Sequence, residues 1–178
     1  LPNEYNFFED YTQCAFPIHD QGDQQTCYAI ATATLMSLRL CAKYGVRREV
    51  SYEFFHNCCP RLNKNGGHEF LAYRCASLVG AVFSNCDCNL EACEKIWAKD
   101  RSFKSLNNEW EMMEEIFQNG PILAQLFVPS DFSNAKDGVF ISKNEDMLFL
   151  HTVVLYGWGI EGDKKYWLLR NSHGINWG

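Results

Sequence analysis

The apolar positions in the first half of the chain recur at the spacing of an α-helix. The longest such stretch predicts a helix over 28–43, and Gly45 follows as its C-terminal stop. Its apolar stripe consists of Ile30, Thr34, Leu38 and Cys41. The N-terminal segment 1–20 has no such period, and we expect it to be extended.

Three shorter helices are predicted downstream of the long one. They lie over 52–58 with Ser51 as cap, over about 69–79 with Gly80 as stop, and between the capping box Asn108–Glu111 and Gly120-Pro121. Residues 81–106 have no clear period and contain three cysteines. We expect that region to be a loop tied by disulfides.

Short apolar runs between turn residues replace the helical pattern in the second half. They predict strands over 122–128, 139–141, 149–156 and 165–169. Helices followed by antiparallel strands indicate an α+β class and one domain over 1–178 with two lobes. We expect a mainly helical, disulfide-tied lobe over about 10–107 and a mainly β lobe over about 108–178, with a site between them.

Composition narrows the class of protein. Of 178 residues, 47% are hydrophobic and 15% aromatic, which is enough for a sizeable core. The formal net charge is -6 and no basic run exists, so nucleic acid is not expected as a partner. No apolar run approaches the ~20 residues that a membrane span needs.

Nine cysteines indicate an oxidising compartment, either secreted or lysosomal/vacuolar. The count is odd, so setting one thiol aside leaves eight for four disulfides, and Cys27 is the natural one to leave free. A zinc site at Cys86, Cys88 and Cys93 is the alternative, but no nearby histidine completes the ligand set.

The polar loop Gln21–Thr26 places Cys27 where the long helix begins. We expect Thr26 or Asp23 to cap that helix with a side-chain oxygen. The partial positive charge of a helix N-terminus favours a thiolate, which suits a nucleophile. The amide of Gln21 is near enough in sequence to reach the same point. The alternative is a structural cysteine, the commoner kind in a chain of this composition.

A thiol nucleophile needs a base, and His151 in the strand 149–156 is the candidate. Asn171, after the last strand, is the candidate to orient its ring. Taken singly, a histidine in an apolar strand is more often a core residue, and an asparagine at a strand end is more often a turn former. The combination with Cys27 favours nucleophilic catalysis.

Several motifs around these residues occur together: Gln21-Gly22, Thr26-Cys27-Tyr28-Ala29, Asn65-Gly66-Gly67, His151 with Gly157-Trp158-Gly159, and Asn171-Ser172 ending in Trp177-Gly178. In this order they resemble the papain-like cysteine peptidases (family C1), over the whole chain. Cathepsin B-like members are the most similar, and cathepsin C-like members a weaker second. The segments behind this are Asn119-Gly120-Pro121, Ser130-Asp131-Phe132, Asp137-Gly138-Val139 and Cys58-Cys59.

The resemblance implies a two-lobed papain-like fold and a cysteine endopeptidase that works through a thioester acyl-enzyme. Cys27 would be the nucleophile and His151 the acid and base. Asn171 would orient His151, and Gln21 would donate to the oxyanion. The implied substrate-binding residues are Gly66, Gly67, His68, Glu69, Gln25, Thr152 and Trp177.

Further expectations come from the same resemblance. It implies a Cys14–Cys41 disulfide and a partner for Cys58 at either Cys88 or Cys93. No metal or organic cofactor is implied. The expected partners are a protein or peptide substrate, a propeptide and a cystatin-type inhibitor, and the start at Leu1-Pro2 fits a processed zymogen.

The chain also departs from the family pattern. Gln24-Gln25-Thr26 stands where Cys-Gly-Ser is usual, which puts a bulky Gln25 near the expected P1 position. His173 stands where a tryptophan normally covers the Asn–His contact. Residues 81–106 lack the paired-histidine occluding loop, so an endopeptidase is expected rather than a carboxydipeptidase. His68 and Glu69 predict an S2 pocket that accepts polar or basic side chains.

The family continues past Trp177-Gly178 with one or two further strands. We therefore expect either a second chain that continues after Gly178 or an incomplete sequence. Without those strands, an open sheet edge would expose Tyr156, Trp158 and Trp167, and we expect something to cover it.

Two other functions remain as alternatives. One is a secreted papain-like homologue with weak or no catalysis that acts as a binding protein, suggested by Gln25 and His173. The other is a purely structural cysteine-rich module, which requires Cys27 to be disulfide-bonded.

Overall fold

A long central helix organises the computed structural model, which describes residues 1–63, 66–86, 88 and 90–178. This helix, α2 (Cys27–Tyr44), confirms the predicted helix and ends at Gly45, whose φ of 69° lies in the left-handed region. The predicted side-chain cap is wrong: Thr26 makes no such bond. Its ψ of 6° is far from the extended conformation of capping residues, so only its carbonyl serves the first turn.

The shorter helices follow the predicted caps closely. Their bounds are α3 (Tyr52–Asn57), α4 (Glu69–Leu78) and α5 (Glu109–Asn119). The Ser51 hydroxyl accepts from the N–H of Phe54 at 3.1 Å, and the side chain of Asn108 accepts from the N–H of Glu111 at 2.9 Å. The Glu111 carboxylate returns to the N–H of Asn107, one residue earlier than a capping box requires.

The second half forms an antiparallel sheet around one long strand. Its members are β4 (Ile122–Pro129), β5 (Met147–Glu161) and β6 (Lys164–Arg170), joined by β1 (Tyr5–Asn6) from the N-terminal segment. β5 pairs with all three others. The strands predicted at 122–128, 149–156 and 165–169 are confirmed.

The strand predicted over 139–141 is wrong. The side chain of Asp131 binds the two residues that follow this segment. It accepts from the Ser142 hydroxyl at 2.7 Å and from the N–H of Lys143 at 2.8 Å. These bonds hold an irregular loop in which the segment has no strand partner.

The N-terminal segment is more structured than the extended chain predicted. After β1 it forms a helical turn, α1 (Phe7–Asp10), and a 3-10 turn over Thr12–Cys14. β1 lies over Trp158, which is only 5% exposed and donates from its indole nitrogen to the carbonyl of Pro2. Trp158, one of the three residues for which a cover was expected, is therefore covered by the N-terminal segment of the same chain. Tyr156 and Trp167 are half-buried.

Four disulfides tie the helical half, and they are Cys14–Cys41, Cys58–Cys88, Cys59–Cys75 and Cys86–Cys93. The first confirms the expected bridge, and the second decides between the two expected partners of Cys58. Because Cys86, Cys88 and Cys93 are all disulfide-bonded, the zinc interpretation is wrong. Within the predicted loop, the two-residue strands β2 (Ala81–Val82) and β3 (Lys95–Ile96) pair with each other.

The buried face of α2 joins the two halves of the molecule. One core cluster packs α2 against α3 and α4, and another packs it against β5 through Leu38 and Val154. On the exposed side, Arg39 donates to the carbonyl of Pro121 at 2.8 Å and to the Glu115 carboxylate at 2.9 Å. The lobe boundary near residue 107 stays a prediction.

Candidate active site

The start of α2 and the middle of β5 bring one thiol and one imidazole together. Cys27 is the first residue of α2, is half-buried and is the free cysteine among the described residues. His151 lies in β5 and is 1% exposed. The two side chains interact across the contact between helix and sheet, and each shifts the pKa of the other.

The contact between these two side chains shifts both pKa values toward the charged forms. Burial raises the pKa of the Cys27 thiol, but hydrogen bonds from His151 and the backbone of Thr152, together with the charge of His151, bring it below its usual range. Burial lowers the pKa of His151, but its bonds to Cys27 and Asn171 bring it above its usual range. A thiolate and an imidazolium are therefore favoured together.

Asn171 fixes the orientation of the imidazole. Its side-chain oxygen lies 2.7 Å from Nε2 of His151 and also accepts from the N–H of Ser172 at 2.8 Å. Because this oxygen only accepts, Nε2 carries a proton, and Nδ1 is left to exchange a proton with the thiol. The Asn171 Nδ2 is buried without a partner among the described residues.

Gln21 is held at the same site by contacts with both halves. Its Nε2 donates to the carbonyl of Gln24 at 2.7 Å, while its Oε1 accepts from the Ser172 hydroxyl. Its backbone N–H donates to the carbonyl of Ser172 at 2.9 Å. The amide carries a second hydrogen, and the N–H of Cys27 has no acceptor within its own helix. One hydrogen of the Gln21 amide and the N–H of Cys27 are thus left over as donors.

Ser172 is a residue that sequence reasoning missed. It is buried, and it fixes the Gln21 amide through the hydroxyl contact and the backbone bond above. The only signal for it was its place directly after Asn171 in the motif.

Gly66 and Gly67, which are predicted to bind the substrate and form the rim of the site, lie against residues that precede and follow Cys27. A Cβ on Gly67 would lie 2.3 Å from the ring of Tyr28, and one on Gly66 would lie 2.9 Å from Oε1 of Gln25. A side chain is therefore excluded at Gly67 by the buried Tyr28 ring, whereas at Gly66 the flexible end of Gln25 would have to move. The Asn65 of the predicted motif lies outside the described residues.

The acidic residue of the predicted S2 region is buried. Glu69 is 7% exposed and accepts from the Gln125 amide at 2.9 Å. Nδ1 of His68 lies 3.5 Å from the same carboxylate, but it accepts from the N–H of Phe70, so it has no proton to donate to Glu69 in that arrangement. Glu69 and Gln125 line a cavity of about 1040 Å³ between α2, α5 and β4, which neither Cys27 nor His151 lines.

The remaining predicted binding residues are Thr152 and Trp177. Thr152 is buried, and its backbone binds the Cys27 sulfur. Trp177 donates from its indole to the carbonyl of Phe132 at 3.1 Å and meets the His173 ring edge-on, with 5.6 Å between centroids. Substrate contacts by Thr152 and Trp177 stay predictions.

Two features are absent from the described residues, a metal-binding cluster and a membrane-spanning helix. No group of three histidine, cysteine or acidic side chains is placed to hold a metal ion. Within the same ranges, no helix is long and apolar enough to cross a membrane.

Known proteins share this architecture. "Cathepsin B-like protease 1" of Arabidopsis thaliana is 28% identical over 86% of this chain and 49% of its own length. "Gut-specific cysteine proteinase" of Caenorhabditis elegans is 28% identical over 90% of this chain and 60% of its own length. The chain thus spans about half the length of the curated relatives it matches.

A solved structure, "proCathepsin B S9 from Trypanosoma congolense", superimposes with a TM-score of 0.83 at 25% identity, covering 100% of this chain and 69% of that one. The predicted α+β fold of papain type is thereby confirmed. The model of the papain family cysteine proteases matches residues 1–178, from one end of this sequence to the other. The chain belongs to the papain family of cysteine proteases.

Proposed function

We propose that this chain forms the catalytic domain of a cysteine endopeptidase. The observation that carries the proposal is a free thiol that interacts with a buried imidazole, which an asparagine orients. The Cys27 thiolate attacks the scissile carbonyl and forms a carbon–sulfur bond. The His151 imidazolium gives its proton to the leaving amine as the carbon–nitrogen bond breaks.

The second half of the reaction restores the site. His151, now neutral, takes a proton from water, and the resulting hydroxide attacks the thioester. The carbon–sulfur bond breaks, the carboxylic acid product leaves, and the thiolate–imidazolium pair is restored. In both halves the N–H of Cys27 and the free hydrogen of the Gln21 amide stabilise the oxyanion. One such donor contributes about 2.7–4 kcal/mol in other enzymes.

The experiment that tests the proposal is titration with an epoxysuccinyl thiol inhibitor. One equivalent bound at Cys27, together with cleavage of peptide substrates, supports it. A Cys27→Ala variant is the control and binds none. If the inhibitor does not label the native protein, the proposal is wrong.

We further propose that the substrate lies extended along Gly66 and Gly67 with its P2 side chain toward Glu69. A buried carboxylate with one amide partner favours polar or basic P2 side chains over purely apolar ones. A P2-varied peptide library should show turnover of Arg or Gln at P2. Strict selection of Leu or Phe would contradict this assignment.

The second candidate is a binding protein with weak or no catalysis. Gln25 favours it, because its side chain reaches over Gly66 at the rim where the substrate would lie. An inert but well-folded protein in the inhibitor titration is the outcome that supports this candidate.

Partners and location belong to the same proposal. The solved neighbour is a proenzyme, so we propose a propeptide for this protein too, and a cystatin-type protein as inhibitor. Four disulfides suit an oxidising route, and we propose lysosomal/vacuolar or secreted residence.

A further inference from the structure

A second imidazole covers the one that faces the thiol. The ring of His173 lies 5.2 Å from the ring of His151, with 31° between their planes. Behind His173, Trp177 meets it edge-on and Phe132 lies 6.4 Å away. His173 is therefore packed in a fixed place, over the ring that Asn171 orients.

The backbone around His173 is held as firmly as its ring. His173 forms a bridge with Asp20, and the next residue, Gly174, donates to the carbonyl of His19 at 3.1 Å. This segment joins the sheet to the loop that precedes α2. His173 is therefore fixed through its backbone as well as through its ring.

The groups that face His173 carry charges of both signs. His151 of β5 faces His173 on one side, and the Cys27 sulfur of α2 lies beyond His151. The carboxylate of Asp20, in the loop before α2, also acts on His173. Phe132 and Trp177 carry no charge. Burial and the charge of His151 lower the pKa of His173, and Asp20 acts in the opposite direction.

We propose that His173 is a positioning residue for His151: neutral, its ring holds the imidazolium against Asn171, and protonated, it repels that imidazolium and ends activity on the acid side. The inference rests on the proposed function, because it concerns the same thiolate–imidazolium pair. It assigns the acid limit to His173 rather than to protonation of the thiolate.

The direction of the pH effect on activity follows from the charges of the two rings. As pH falls through the pKa of His173, its ring gains a proton and meets another cation within stacking distance. At this distance two such cations repel each other, so the His151–Asn171 contact opens and activity is lost. Replacing His173 with a neutral ring removes this event, and activity then persists until the thiolate itself is protonated.

The test is the pH profile of kcat/KM for the native enzyme, His173→Phe and His173→Trp. Both variants keep an aromatic cover, and both should move the acid inflection down by roughly 0.5 pH unit or more. Asp20→Asn keeps an acceptor for the N–H of Gly22 but removes the charge that favours protonated His173, so a smaller shift in the same direction is expected. His19→Gln, which removes a histidine paired with Glu49, is the matched control and should leave the acid inflection of kcat/KM unchanged.

A readout without substrate separates this inference from the proposed function. The rate of Cys27 alkylation by iodoacetamide, followed against pH, should show an additional acid ionisation in the native protein that is missing in His173→Phe. If no peptide is cleaved but this difference appears, the positioning role stands and the peptidase proposal fails. If the acid limbs of native protein and variants superimpose in both measurements, the role of His173 is overturned.

Discussion

Cys27 owes its reactivity to its contacts and not to its burial. Burial alone would hold the sulfur as a neutral thiol, but His151 and the backbone of Thr152 reverse the effect. The lowered pKa of Cys27 and the raised pKa of His151 are two views of one interaction. The ion pair is lost as pH falls through the first pKa and as pH rises through the second, so both shifts widen the range in which it exists.

The first prediction concerns this ion pair. Ultraviolet absorbance of the thiolate should appear well below the ~8.5 at which a free cysteine titrates. His151→Ala removes the hydrogen bond and the charge that lower the pKa of Cys27, so the midpoint should rise. His56→Asn, a histidine that contacts Tyr28 instead, is the control. Equal midpoints in native protein and His151→Ala would contradict the assignment.

The second prediction concerns Asn171. Asn171→Ala releases the His151 ring, and we expect kcat/KM to fall about 10- to 100-fold. The same change leaves the N–H of Ser172 and Nε2 of His151 without their acceptor, so a lower melting temperature is expected together with the kinetic loss. Asn176→Ala, an exposed neighbour, should change neither quantity. A large loss of stability with unchanged kinetics would point to a structural role alone.

The third prediction concerns Gln25. Its side chain lies over Gly66, so Gln25→Ala should open the rim and raise kcat/KM for substrates with a bulky P1 residue, by about tenfold. Substrates with glycine at P1 should gain little. Gln24→Ala is the control, because that exposed side chain precedes Gln25 without lying over the rim. Equal gains for all P1 residues would show that Gln25 does not select them.

At the scale of elements, α2 carries the thiol of Cys27, the proposed nucleophile, and β5 carries the imidazole of His151. The helix packs against both α3 and the sheet, and Arg39 joins it to the end of α5. The geometry of the site therefore depends on how these two elements are fixed to each other. The Cys14–Cys41 disulfide contributes to this, because it ties the N-terminal segment to α2 near the sheet.

The fourth prediction compares two disulfides by the length of chain they close. Cys14–Cys41 spans a separation of 27 residues and Cys86–Cys93 a separation of 7. In the chain-entropy description, removing the first costs about 3.5 kcal/mol and removing the second about 2.5 kcal/mol. Urea unfolding of the paired alanine variants measures both. A larger loss for the shorter loop would show that contacts, rather than chain entropy, dominate.

At the scale of the whole molecule, the sequence was informative where local chemistry decides structure. Gly45, Ser51 and Asn108 marked helix ends correctly, because each makes its bond within its own turn. The odd cysteine count identified Cys27 as the free thiol.

Apart from the missing Thr26 cap, which has a local cause, the failures came from long-range contacts. The loop at 139–141 depends on Asp131, and the burial of Trp158 depends on β1 at the far end of the chain. The locking of Gln21 by Ser172 likewise joins residues from opposite ends. The stacking of His173 on His151 is of the same kind. Periodicity does not encode such pairs.

The placement of the disulfides has a consequence for how this molecule responds to reductants. All four lie between residues 14 and 93, in the half that carries the sulfur nucleophile, and the described sheet residues contain none. A strong reductant would therefore loosen one side of the cleft and spare the other. Thiol concentrations chosen to keep Cys27 reduced must therefore stay low. Higher concentrations would reduce the disulfides and destabilise the helices around Cys27, while the sheet that carries His151 would stay folded.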